Sequence, residues 1–63
     1  MIAYKVEWYR GNCDADELVG YYTTKAKAVL ARQVFIDIHN LKPNGLCCHN
    51  EKRVEIEEIN IQE

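Results

Sequence analysis

The sequence predicts a small α+β domain: an antiparallel sheet of three or four strands with one helix packed on one face, in ββαβ or ββαββ order. Three features lead there. Residues 2 to 9 alternate in polarity with a period of two. Residues 25 to 39 are rich in Ala, Leu, Lys, Arg and Gln and contain no Gly or Pro. After Pro43-Asn44-Gly45 the chain turns β-prone again.

In the first segment Ile2, Tyr4, Val6 and Trp8 share one parity and Ala3, Lys5, Glu7 and Tyr9 the other, the pattern of a half-buried strand. Arg10 to Asp16 gathers Gly11, Asn12, Asp14 and Asp16, residues that tolerate turn geometry, so a hairpin loop is expected. Glu17 to Tyr22 then provides the antiparallel return. Gly20 marks a place where a large side chain crosses over the strand. Thr23-Thr24 offers a hydroxyl to cap the helix from Lys25 to about His39. At 100° per residue Leu30, Val34, Ile38 and Leu41, with Ala31 and Phe35, form one broad arc, expected to cover the sheet. Asn40 and Pro43-Asn44-Gly45 stop the helix and turn the chain.

Beyond the turn, Leu46 to His49 is expected as a short strand, Asn50-Glu51-Lys52 as a polar turn and Arg53 to Ile61 as a longer strand. This makes ββαββ the leading order. Val54 and Ile56 share one parity, Ile59 and Ile61 the other. The switch at Glu57-Glu58 is expected either as a β-bulge or as the end of the strand.

At 63 residues the chain has room for one core, so one domain spanning 1 to 63 is expected. Its 48% hydrophobic content and six aromatic residues are too rich for a disordered segment. The start Met1-Ile2-Ala3-Tyr4-Lys5 lacks the layout of an export signal, and no apolar run approaches the roughly 20 residues of a spanning helix. Three cysteines, two of them adjacent (Cys47, Cys48), suit free thiols in a reducing, cytoplasmic compartment.

Net charge is −2, and the last thirteen residues hold five carboxylates against two cations. With no basic run to release counterions, this argues against a nucleic-acid partner. The competing nucleic-acid reading rests on Tyr9 and Tyr21 on an open sheet face, with Lys5 and Arg10. A third reading is a zinc domain built on His39, Cys47, Cys48 and His49, with Cys13 more distant. Neighbours on a strand face opposite ways and no C-x2-C pair exists, so no metal and no cofactor is expected. A Cys48-His49 nucleophile meets the same objection, and Gly-rich phosphate loops and G-x-S-x-G turns are absent from the sequence. No catalytic residue is assigned. Glu55, Glu57 and Glu58 alternate with apolar residues as the solvated face of a strand would.

What is left is apolar and aromatic surface. Val29 and Ile36, one heptad apart and flanked by Arg32 and Gln33, form a second helical stripe away from the main arc. Tyr9 and either Tyr21 or Tyr22 belong to the uncovered sheet face, and Glu55 and Glu57 lend the last strand an acidic character that a basic protein groove would accept. The sequence therefore points to a non-catalytic protein-interaction module. A small inhibitor, an antitoxin-like protein or an adaptor of the kind phages and mobile elements encode would fit. The expected binding residues are Tyr9, Tyr21, Val29, Arg32, Ile36, Glu55 and Glu57; the expected partner is another protein, with a homodimer through the long strand or the outer stripe as an option.

Overall fold

A computed structural model describes residues 1–11, 15–46 and 49–62. The central strand β1 (Ile2–Trp8) pairs antiparallel with β2 (Glu17–Tyr22) on one side and with β3 (Val54–Asn60) on the other. Sheet order is therefore β2-β1-β3. The helix α1 (Lys25–Ile38) follows β2 and crosses one face, and a 3-10 turn (Glu51–Arg53) leads into β3. The order is ββαβ, the shorter of the two expected. No helix among the described residues is long and apolar enough to cross a membrane.

Each end of α1 is fixed by local chemistry. The Thr24 hydroxyl accepts from the Lys27 N–H at 3.2 Å, satisfying one of the first-turn donors that have no partner inside the helix. At the other end Asn40 takes the left-handed conformation (φ 54°), the Leu41 N–H donates to the Ile36 carbonyl at 3.0 Å and the Asn40 N–H to Asp37. This is a Schellman closure, and its usual apolar contact is supplied by Leu41 and Ile36, both in the core.

The core consists of Val6, Trp8, Ala28, Ile36, Leu41 and Val54, with Tyr4, Val19, Tyr22, Phe35 and Ile56 packed around it. It lies between α1 and the even-numbered face of β1, as the alternation of residues 2 to 9 requires. Trp8 meets Phe35 edge-on, centroids 5.5 Å apart, and the His39 ring stacks on Phe35 at 4.2 Å.

Three expectations are corrected. The strand expected over Leu46 to His49 does not form at its described ends: Leu46 projects into solvent, and His49 is tied to Lys42, whose N–H donates to the His49 carbonyl while its own carbonyl accepts from the Glu51 N–H. Cys47 and Cys48 lie outside the described residues, as does Cys13. Gly45 is required in this loop because a Cβ there would run into the His49 carbonyl. The β-bulge expected at Glu57-Glu58 is absent. The β1–β3 register runs unbroken from Ile2–Asn60 to Trp8–Val54, so β3 continues through the switch and Ile59 faces away from the helix, opposite Ala3. The irregularity lies instead between β1 and β2, where Val6 pairs with Gly20 and Glu7 with Leu18, leaving Val19 as the extra residue.

The third correction concerns the rotation of α1. Ile36, expected on an outer stripe, is 3% exposed in the core, and Arg32 is directed to the backbone carbonyls leading into β3. Leu30, Val34 and Ile38, expected against the sheet, are 65%, 48% and 73% exposed. Arg32 has structural work: its Nε donates to the Val54 carbonyl at 2.7 Å and its Nη2 to the Glu51 carbonyl at 2.9 Å. Tyr9 N–H bonds Arg53 O and Ile61 N–H bonds Met1 O, which turns the odd-numbered backbone groups of β3 toward β1 and the even-numbered ones toward the free edge. Arg32 thus closes the start of an otherwise open edge. Since a hydrogen bond from a charged donor contributes roughly 1.5–3 kcal/mol, Arg32→Met should lower unfolding free energy by about 2 kcal/mol in urea titrations. A change within error would show that water replaces the guanidinium at no cost.

Candidate protein-binding surface

The rotation of α1 creates the surface of interest. Nine of the fourteen residues in KAKAVLARQVFIDI are apolar and they lie on nearly every side of the helix, so no single orientation against a three-stranded sheet can bury them all. Ala28 and Ile36 take the inward positions. Ala31, Val34 and Ile38 then fall on the flank facing β2, with Leu30 outside them and Lys27 one turn nearer the N-terminus.

The strand completes the groove through its bulge. In an unbroken β2, Val19 and Tyr22 would have opposite parity and point to opposite faces. The extra residue resets the alternation, so both pack on the helix side while Leu18 and Tyr21 face the other way. Gly20 lies beneath the Tyr22 ring, where an added Cβ would sit 2.9 Å from Oη; this is the crossing-over expected from sequence. The result is an open groove of about 490 Å³ between α1 and the edge strand, lined by Val19, Tyr22, Lys27, Leu30, Ala31, Val34, Phe35 and Ile38. Lys27 is its one charged lining residue.

The opposite sheet face is polar at its centre, between Leu18 and Tyr21 on one side and Ala3 and Ile59 at one end. Lys5 Nζ lies 2.9 Å from Glu7 Oε1 and 4.0 Å from Glu57 Oε2, and Glu55 stands across from Glu7. The hydrogen bond from Tyr9 to Glu7 pushes the Tyr9 hydroxyl above its ordinary pKa, since loss of the proton would place two negative oxygens together; the bond to Glu7 raises Lys5 for the converse reason. Tyr21 is exposed opposite Lys5. Four of the expected binding residues, Tyr9, Tyr21, Glu55 and Glu57, are thus gathered on this face. Val29 is exposed on the helix but separated in role from Ile36, which is in the core, and from Arg32, which bonds the start of β3.

For the competing readings, the cations are turned to carboxylates. Lys5 is paired as above; Arg10 lies 3.3 Å from Glu17 Oε1 with its guanidinium 4.6 Å from the Trp8 ring. His39 stacks on aromatic rings, and His49 is exposed in the loop. No group of three or more potential metal ligands occurs among the described residues. The sequence places Leu30, Ala31, Val34, Phe35 and Ile38 on one arc but carries no signal that this arc stays open as a groove, since that depends on the rotation of α1 and the bulge in β2. No family model matches the chain, and no curated protein or solved structure matches it.

Proposed function

We propose that this chain is a non-catalytic, cytoplasmic protein-interaction module whose working surface is the groove between α1 and β2. The observation that carries the reading is the exposure of Leu30, Val34 and Ile38 beside Val19 and Tyr22. Scattered apolar residues on a surface need no explanation, but a contiguous, concave apolar strip on one flank of a helix is the form that protein-binding grooves take. The polar face supports the same reading less directly, through Tyr21 and the carboxylates of Glu55 and Glu57, which suit the rim of a contact better than its centre. An inhibitor, antitoxin-like or adaptor role would use such a surface.

The test is retention of proteins by the tagged chain from native lysate treated with nuclease, comparing wild type with Ile38→Glu. Ile38 is 73% exposed, so a carboxylate there leaves the core intact. Wild type should retain a protein, another molecule of this chain included, and Ile38→Glu should lose it while keeping its far-UV circular dichroism. Equal retention by both proteins would dismiss the groove, and loss on nuclease treatment would favour nucleic acid.

A further inference from the structure

We infer that the occupant of the groove is a second copy of this chain, packed α1 against α1 in antiparallel sense about a two-fold axis. The inference rests on the groove being a protein-binding surface and goes beyond it by naming the partner. Charge placement carries it. Along the exposed side of α1 the apolar strip of Leu30, Val34 and Ile38 is flanked by one cation near its start, Lys27, and one anion near its end, Asp37, an exposed carboxylate whose Oδ1 accepts from Gln33 Nε2 at 3.1 Å and whose other oxygen is left for a second donor. Ten residues separate them, about 15 Å along the axis at 1.5 Å per residue. A surface with its positive charge at one end and its negative charge at the other complements itself when turned end for end. Antiparallel pairing sets Lys27 of each copy beside Asp37 of the other, at both ends at once, with Leu30 facing Val34 in the middle.

Three further features agree. Antiparallel helices also oppose their dipoles favourably. An isologous contact needs self-complementarity of a single patch, which this strip has. Among the described residues the core is small, six residues in one cluster, and most of the apolar residues of α1 are uncovered; a domain of this length commonly draws added stability from a partner subunit. Val19 and Tyr22 from the edge strand form the wall against which the incoming helix rests.

Sedimentation equilibrium over a wide concentration range tests this on the full chain. Wild type should sediment at twice the 7.4 kDa of the monomer, and Val34→Glu at the monomer mass with unchanged circular dichroism. Lys27→Glu and Asp37→Lys should each weaken the dimer about tenfold, because the two-fold axis doubles each like-charge contact. The double variant Lys27→Glu/Asp37→Lys should return to near wild-type affinity, a rescue that a merely structural role for either residue would not produce. A wild type that stays monomeric throughout overturns the second copy as occupant. The retention experiment with Ile38→Glu then decides separately whether the groove binds another protein. A dimer that survives Val34→Glu overturns the use of the groove, and failure of the double variant to recover overturns the antiparallel arrangement.

Discussion

Trp8→Ala should be largely unfolded at 25 °C. Trp8 ends the central strand, is buried, and touches Phe35, His39 and the Arg10 guanidinium, so it joins β1 to the C-terminal turn of α1. Replacing a buried Trp by Ala typically costs about 3–5 kcal/mol from lost transfer energy and the cavity left behind. Domains hold roughly 0.05–0.15 kcal/mol per residue, which for this length is about 3–9 kcal/mol in total, so the loss approaches the whole. Far-UV circular dichroism during heating measures it, and fluorescence does not, because Trp8 is the sole tryptophan. A cooperative melt near the wild-type temperature would mean that the core is centred elsewhere. Trp8→Phe keeps an aromatic contact with Phe35 and should fold.

The second large effect separates two isoleucines two residues apart. Ile36→Ala should cost about 2–5 kcal/mol, as buried Ile-to-Ala changes do. Ile38→Ala, measured dilute enough to keep the chain monomeric, should stay within about 0.5 kcal/mol, the usual range for surface positions. Urea unfolding of both variants reads the rotation of α1 about its own axis directly. A reversal of the two costs would place the Leu30-Val34-Ile38 arc against the sheet and remove the groove. At high concentration the Ile38→Ala protein should lose part of the stability that self-association gives the wild type, since binding to the folded state alone raises stability by mass action.

Much of the architecture was legible from residues close in sequence. The period-two alternation gave β1 and its two faces. Thr24 and Asn40 bounded the helix, because caps depend on bonds spanning only three to five residues. Gly20 marked a place for a large side chain to cross, and the structure identifies that side chain as Tyr22. Parity placed Tyr9 on the open face and Glu55 and Glu57 on the solvated side of their strand but left Tyr21 and Tyr22 as alternatives; the register decides, with Tyr21 across from Lys5 and Tyr22 across from Tyr4, and the unbroken register of β3 sets Glu57 across from Lys5.

Other features were decided by the tertiary structure alone. A helix apolar on nearly every side has no preferred rotation until something packs on it. Here the Trp8–Phe35 contact, the Leu41–Ile36 closure and the bonds from Arg32 to Val54 and Glu51 select one. Those bonds span 22 and 19 residues, beyond any local pattern, so Arg32 resembled a surface cation in the sequence. The bulge at Val19 was equally hidden, because strand polarity counts residues along one chain whereas a bulge is a mismatch between two. The sequence by itself determined β1, β2, the helix with both of its ends and the existence of β3, because alternation and caps are local signals. Which apolar side of the helix stays open was determined only by contacts between residues distant along the chain, because a helix apolar on nearly every side carries no local signal of its rotation.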